Sequence, residues 1–188
     1  MIWVTSDLHL NHAGILKTCR KFNSIEEHNE YIIKQYNSVV GKDDLVYILG
    51  DCLWSPVTKG ADLIKRLNGR KILITGNHDR GTIGEYKKMG FIDVKDSPVY
   101  YSSSIILSHE PAFEAFCNPY VYNIYGHLHQ AIVDLPNFIN VNTELYDYKP
   151  ISLKELQEKI RDKVKSRREK FGEEWYFPYF KRLSEENS

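Results

Sequence analysis

Short apolar runs that end in polar, chemistry-bearing residues recur along the 188-residue chain, and they limit its fold more than any other feature. Each run has the length and the β-branched or aromatic content of a largely buried strand. Strands are predicted at 2–5, 46–49, 71–75, 99–101, 105–108, 121–125 and 138–141. Helical patterns separate the early runs, and alternating strands and helices favour parallel pairing. The sequence therefore predicts an α/β fold.

Three helical patterns lie between the early strands. Ser24 and Glu27 have the spacing of a capping box at the start of a helix predicted over 24–40. Two further helices are predicted over 61–67 and 84–89, where Asn68-Gly69 and Gly90 stop them. The later strands have little helix between them, so part of the sheet structure is predicted to be mixed or antiparallel.

The character of the chain changes near residue 150. Residues 1–150 are predicted to form one domain, and residues 151–188 a C-terminal helix followed by an aromatic tail at 175–180. A narrow apolar stripe amid dense charge marks the helix. Its members are Leu153, Leu156, Ile160 and Val164. The segment is predicted to pack back on the domain, and the alternative is an interface, such as a homodimer formed through the aromatic tail.

Composition argues against several classes of protein. The 25 basic and 25 acidic residues cancel, which disfavours a general nucleic-acid coat or a polybasic membrane binder. No apolar run approaches the ~18 residues of a membrane span, and the N-terminus has no signal-peptide pattern. Three widely spaced cysteines form neither a disulfide framework nor a zinc knuckle, which is typical of a reducing compartment. A cytoplasmic protein is expected.

Polar side chains directly follow five of the predicted strands. These side chains are Asp7, His9, Asp51, Asn77, His78, His109, His127 and His129. In open α/β sheets, ligands bind at the carboxyl ends of the strands. Carboxylates, an amide oxygen and imidazoles form a mixed ligand set that suits manganese, iron or zinc. One tetrahedral ion needs fewer ligands, and two ions that share a carboxylate would use the larger set.

In chain order, these residues stand in the motifs Asp-x-His, Gly-Asp, Gly-Asn-His-Asp, a single His after a strand, and Gly-His-Leu-His. Over roughly residues 1–145 the motifs resemble the calcineurin-like metallophosphoesterase superfamily, and in detail small phage and bacterial predicted phosphoesterases. The resemblance implies a four-layer αββα sandwich of mixed sheets, with its metal site at the carboxyl ends of the strands. It also implies two divalent metal ions, manganese first and iron, zinc or nickel as alternatives.

The resemblance implies a role for each matching position. The first ion would bind Asp7, His9 and His129, the second would bind Asn77, His109 and His127, and Asp51 would bridge them. His78 would be the general acid while a metal-bridging hydroxide attacks the phosphorus. The implied activity is hydrolysis of a small phosphoester, a nucleotide-type phosphodiester first. Phosphomonoesterase or pyrophosphatase activity is the alternative, followed by a non-catalytic scaffold.

The sequence departs from the superfamily pattern at Trp54, where many members have an aspartate that orients the catalytic histidine. His78 would then need another partner, either Asp79 or a backbone carbonyl, or act without one. Three residues near the motifs are candidates for substrate contact, namely His12, Arg20 and Arg80. His28 is expected to be exposed on its helix. Cys52 is expected to be a buried, unreactive thiol, and Glu144 to lie in a late loop near the site.

Overall fold

The computed structural model describes residues 1–54 and 57–172. Within them lie nine strands: β1 (Ile2–Thr5), β2 (Leu45–Leu49), β3 (Arg70–Ile74), β4 (Phe91–Lys95), β5 (Val99–Ser102), β6 (Ile105–Leu107), β7 (Tyr122–Tyr125), β8 (Phe138–Asn140) and β9 (Ile151–Ser152). The same residues form five α-helices: α1 (Ile25–Asn37), α2 (Val57–Lys65), α3 (Ile83–Met89), α4 (Phe113–Cys117) and α5 (Leu153–Phe171).

The strands form two mixed sheets, as the sequence predicts. The first has the order β4-β3-β2-β1-β9, in which β1 to β4 are parallel and β9 is antiparallel to β1. The second has the order β5-β6-β7-β8, in which β5 and β6 are antiparallel and the other pairs are parallel. A parallel bridge between Ser6 and Asn142 joins the ends of β1 and β8, which brings the carboxyl edges of the two sheets together.

Alternation along the strands builds the layers, because successive side chains point to opposite faces of a sheet. Val46 and Ile48 of β2 are buried in one cluster with Ile32 of α1, whereas Leu49 joins a second cluster with Ile124 of β7. A third cluster covers the other face of the second sheet, where Tyr125 and Phe138 pack on Ala115 of α4. Helices, two face-to-face sheets and a further helix make the four-layer αββα sandwich that the sequence predicts.

The helix ends differ in detail from the predictions. Ser24 caps α1 by accepting a hydrogen bond from the Glu27 backbone N–H at 3.1 Å, but the Glu27 carboxylate accepts from the backbone of Asn23. The predicted capping box is therefore only half formed. A complete box stands instead at Thr82 and Glu85, at the start of α3. One α-helix and two strands were not predicted, namely α4 and the edge strands β4 and β9, because they are short or rich in charge.

The predicted apolar stripe of α5 is buried. Leu156 is fully buried, and Leu153, Ile160 and Val164 join it in the cluster between the sheets, against β1 and β8. The aromatic tail at 175–180 lies outside the described residues, so the division at residue 150 and the homodimer stay predictions. No helix within residues 1–54 and 57–172 is long and apolar enough to cross a membrane.

Candidate metal centre

The candidate ligands lie on backbone that turns sharply out of the sheets. Asp7, His9, Asp51, His127 and His129 all have left-handed φ angles, between 49° and 66°. Non-glycine residues rarely adopt this conformation, and when they do they cluster at functional sites. Hydrogen bonds hold the turns, such as the one from the His9 N–H to the Asp51 carbonyl at 2.8 Å. Because the strands have ended, side chains two residues apart converge instead of alternating.

Two glycines leave the space that these side chains fill. A Cβ on Gly76 would lie 2.3 Å from Asp51 Oδ1 and 2.8 Å from His109 Nε2, and a Cβ on Gly126 would lie 2.5 Å from Asp7 Oδ2. Real Cβ atoms do not approach other atoms so closely. The two strand ends therefore need glycine where the backbone passes the ligands.

The first group consists of Asp7, His9 and His129, whose ligand atoms lie within 4.8 Å of one another. The His9 and His129 rings stack with their centroids 5.3 Å apart. Asp7 Oδ1 and His9 Nε2 are 3.8 Å apart, and neither has a hydrogen-bond partner in the described part of the chain although both are buried. Unpaired buried polar atoms are costly, and a cation between them would remove the cost.

The second group consists of Asn77, His109 and His127. Asn77 Oδ1 lies 3.0 Å from His109 Nε2 and 3.1 Å from His127 Nδ1, and these two nitrogens are themselves 3.1 Å apart. His109 Nδ1 lies 2.9 Å from the Leu49 carbonyl, to which it donates. This hydrogen bond fixes the tautomer that leaves a lone pair on Nε2. The group offers one oxygen and two nitrogens to a shared point.

Asp51 lies between the two groups. Its Oδ2 is 3.7 Å from His9 Nε2, and its Oδ1 is 3.6 Å from His109 Nε2. Oδ1 also accepts a hydrogen bond from the His78 backbone N–H at 2.9 Å, which fixes the carboxylate plane. One carboxylate oxygen therefore faces each group, which is the position that a bridging ligand requires.

Without a bound ion, burial disfavours the charged forms of Asp7 and His9. Burial raises the pKa of Asp7 and is the main cause of the lowered pKa of His9, to which the Arg20 guanidinium and His129 also contribute. A bound divalent cation has the opposite effect, since it favours ionised carboxylates and neutral imidazoles. The donor set, its burial and its unpaired atoms therefore fit divalent ions.

His78 lies beside the ligands, with a side chain that is 31% exposed and with Nε2 3.8 Å from Asp51 Oδ2. Of the three alternatives for its partner, Asp79 is excluded, because that carboxylate accepts from the backbone N–H groups of Asp51, Cys52 and Gly76 at 2.7–3.1 Å. These bonds oppose the burial that raises the pKa of Asp79 to about 6. A carbonyl partner is absent too, since His78 Nδ1 is buried without a hydrogen bond among the described residues.

The predicted substrate contact at Arg20 is wrong. Arg20 is only 2% exposed, and its guanidinium is committed to internal acceptors. Nε donates to Glu144 Oε1 at 2.8 Å, Nη1 donates to the Leu8 carbonyl at 2.8 Å, and Nη2 donates to the Asp7 carbonyl. Glu144 Oε1 also lies 3.0 Å from His129 Nδ1. Arg20 and Glu144 therefore support the first group of ligands from behind.

The expected exposure of His28 is also wrong. His28 is fully buried, and its Nε2 lies 2.8 Å from Arg20 Nη1. Burial is the main cause that lowers its pKa to about 4, followed by the nearby Arg20 charge. His28 precedes Ile32 and Tyr36 by four and eight residues, so the helical period could have placed it on the buried face of α1.

The remaining candidates lie at the mouth of the site or behind it. His12 stacks on Trp54 with ring centroids 4.0 Å apart, and Arg80 Cζ lies 5.9 Å from the centroid of the Trp54 ring. Substrate contact by His12 and Arg80 stays a prediction. The buried Cys52 thiol is confirmed, and burial raises its pKa well above the usual value. Cys19 was not predicted, and its Sγ lies 3.8 Å from His129 Nδ1.

The chain is similar to a known family and to several known proteins. The sequence model of the calcineurin-like phosphoesterase family matches residues 1–180. An uncharacterized protein of Methanocaldococcus jannaschii is 38% identical over 162 residues, which are 81% of this chain and 86% of that protein. The Gene 66 protein of Mycobacterium phage L5 is 46% identical over 81 residues, which are 41% of this chain and 39% of that protein.

A solved structure has the same architecture. It is a protein of unknown function from Aquifex aeolicus, with a TM-score of 0.67 and 28% sequence identity, over 84% of this chain and 98% of that one. The residues that match the family model include every candidate ligand and His78.

Proposed function

The chain belongs to the calcineurin-like phosphoesterase family, and from this premise we propose that it hydrolyses nucleotide-type phosphodiesters with two divalent metal ions. One observation carries the proposal. Asp51 lies between two groups of buried ligands, with one oxygen 3.7 Å from His9 and the other 3.6 Å from His109. A single bridging carboxylate is what a pair of ions requires.

Seven residues would hold the ions: Asp7, His9, Asp51, Asn77, His109, His127 and His129. When bound, two divalent ions bring the pKa of water toward neutrality and polarise the phosphoryl oxygens. The family resemblance favours manganese, and an oxygen and nitrogen ligand set without thiolate tolerates iron, zinc or nickel as alternatives. The chain itself holds the ligands in place through the left-handed turns at the strand ends.

The reaction needs one proton transfer to the leaving group. The oxygen of water forms a bond to phosphorus while the ester P–O bond breaks, and the electron pair departs with the leaving oxygen. His78 gives its Nε2 proton to that oxygen, the attacking water loses one proton to solvent, and His78 then takes one proton back from solvent, so the protons balance. His78 Nε2 faces Asp51 Oδ2 at 3.8 Å and its ring is 31% exposed, so it can reach a phosphoester seated on the ligands.

Charge near the site favours a diester over a monoester. A phosphomonoester carries one more negative charge than a diester and calls for cationic side chains beside the metal ions, but Arg20 is committed to internal acceptors. Arg80 is the exposed cation that lies over Trp54 at the mouth. Aromatic and cationic side chains together suit a nucleobase and its ribose phosphate. Phosphomonoesterase or pyrophosphatase activity is therefore the second candidate, and a non-catalytic scaffold the third.

A groove beside the second group of candidate ligands favours a small substrate. It has a volume of about 320 Å³, borders Asn77 and His109, and contains the acidic residues Asp96, Glu110 and Glu114. Phe113, which also lines it, is 75% exposed. Carboxylates along the groove repel further phosphates, so a mononucleotide or dinucleotide fits this surface better than a long nucleic acid does.

The test is a panel of p-nitrophenyl diesters and monoesters, cyclic nucleotides and dinucleotides, assayed with the Mn²⁺-loaded protein. We expect turnover of diesters to exceed turnover of monoesters, EDTA to abolish it and Mn²⁺ to restore it. Mn²⁺ should also raise the melting temperature, because it binds the folded state. The Asp51→Asn variant is the control, and it should show neither turnover nor a rise in melting temperature with Mn²⁺. Turnover that survives EDTA, or metal uptake without turnover of any ester, would contradict the proposal.

A further inference from the structure

Trp54 packs against His78 at the mouth of the site. The two ring centroids are 4.5 Å apart, with their planes at 60°. The Trp54 ring also stacks on His12 almost in parallel, at 4.0 Å and 7°. The Trp54 backbone N–H donates to the Leu10 carbonyl at 2.8 Å, next to a bridge between Leu10 and Leu53. Trp54 is therefore fixed at its backbone and braced on one face of its ring.

Hydrogen bonds do not fix the direction of the His78 ring. Its Nδ1 is buried and has no hydrogen-bond partner within residues 1–54 and 57–172. Asp79, its neighbour in the chain, accepts from three backbone N–H groups instead. The second side-chain torsion of histidine has a broad energy profile, so the ring turns unless neighbouring groups fill the space. Among the described residues, three rings lie close to it, those of Trp54, His12 and His9, with centroids at 4.5, 6.1 and 5.6 Å.

We propose that Trp54 is a positioning residue that keeps His78 Nε2 directed at the leaving oxygen. The inference rests on the proposed role of His78 as proton donor. Trp54 itself transfers no proton and holds no metal ion. It occupies the volume into which the imidazole would otherwise turn, and His12 keeps the indole in place. Packing thus does here what a carboxylate bonded to Nδ1 would do in a polar site.

The effect of Trp54 should depend on the leaving group. When the ester P–O bond breaks, its electron pair moves to the leaving oxygen, and a strongly basic oxygen needs the proton from His78 Nε2. Phenolate is such a leaving group. p-Nitrophenolate is a weak base that departs without a proton. A misdirected His78 ring therefore slows release of phenol while it leaves release of p-nitrophenol almost unchanged.

The experiment uses the full chain loaded with Mn²⁺ and two methyl phosphodiesters, one with p-nitrophenol and one with phenol as the leaving group. We expect Trp54→Ala to lower kcat on the phenyl ester by about 10- to 100-fold, the cost of misplacing a catalytic group. On the p-nitrophenyl ester, kcat should stay within about threefold of wild type. Trp54→Phe should keep both rates, and metal content should not change. Tyr100→Ala is the matched control, since Tyr100 is 57% exposed and lies on β5.

Equal losses on the two esters, or a rise in KM with an unchanged ratio of kcat values, would overturn the inference. The first result would make Trp54 a structural residue, and the second would limit its role to the substrate-binding surface that it forms with Arg80. Should Trp54→Ala fail to fold, Trp54→Leu provides the same comparison, because it keeps an apolar side chain at the position but removes the ring that packs on His78. A wild-type protein that hydrolyses neither ester contradicts the proposed function itself, and this outcome is distinct from equal losses in an active enzyme.

Discussion

The two flanks of the candidate site are held by different forces. On the buried flank, Glu144 and Arg20 fix His129 and the backbone of Asp7 through hydrogen bonds of about 3 Å or less. On the exposed flank, His78 has ring packing from Trp54 in place of such bonds. The difference is what the proposed function requires. A metal ligand has to keep one direction, whereas a proton donor has to meet solvent and recover its proton.

The buried flank combines an ion pair with backbone contacts. Burial alone would raise the pKa of Glu144, but hydrogen bonds from His129 and Arg20 outweigh it and the pKa is lowered. The hydrogen bond to Glu144 also raises the pKa of His129. Buried ion pairs are weak evidence of stability, because desolvation offsets their attraction. An ion pair does fix the direction of a side chain, and here that side chain is His129, a candidate ligand.

His78→Ala should have the largest effect of the variants that distinguish the two flanks. Loss of the proton donor should lower turnover of the phenyl diester by about 10²–10⁴-fold. The backbone N–H of the substituted residue should still donate to Asp51, so the metal ions should remain bound. Rates measured beside metal content test this pair of effects. A variant that loses its metal would show that His78 belongs to the buried flank after all.

Glu144→Gln should have an intermediate effect, and it should act on metal affinity. A Gln side chain retains a carbonyl oxygen for Arg20 but loses the charge that directs His129. Partners of metal ligands typically contribute 10–100-fold in affinity, so we expect Mn²⁺ binding to weaken by about that factor. At saturating Mn²⁺, kcat should return close to the wild-type value.

Titration calorimetry with Mn²⁺ measures the affinity directly, without turnover. The matched control is Glu155→Gln, because Glu155 forms an exposed pair with Lys159 at 3.4 Å, far from the ligands in sequence. Unchanged affinity in Glu144→Gln would mean that packing, and not hydrogen bonding, holds His129. The two flanks would then be alike.

The sequence could predict which candidate ligands come together but not the residues that support them. Every candidate ligand directly follows a strand, so the order of the motifs and the alternation of strands were enough to bring them to one edge. Arg20 and Glu144 are 124 residues apart, and neither stands in a motif. Their pairing depends on how the loop after β1 meets the turn after β8. No local pattern contains that information.

The exposed flank shows a second limit. Trp54 stands out in the sequence as a departure from the family pattern, and that signal could not say what the residue does. Its role follows from the angle and distance of the ring against His78. The edge strands β4 and β9 were missed for a related reason. The alternating charges of β4 and the two residues of β9 produce weak patterns, and pairing with β3 and β1 forms them.

Cys19→Ser should have the smallest effect, and it decides where the buried flank ends. Two sets of potential ligands share His129, one with Asp7 and His9 and the other with Cys19 and Glu144. Glu144 has a second buried oxygen without a partner in the described part of the chain, but Arg20 already compensates its charge. Asp7 Oδ1 and His9 Nε2 have no such compensation, so the ion should lie on their side. Cys19→Ser should then keep Mn²⁺ affinity and kcat within about twofold.

Protein loaded with Co²⁺ provides a direct readout, because a thiolate ligand gives a charge-transfer absorption in the near ultraviolet. A band that is present in the wild type and lost in Cys19→Ser would move the first ion to Cys19, and Glu144 would then be a ligand, not the support of one.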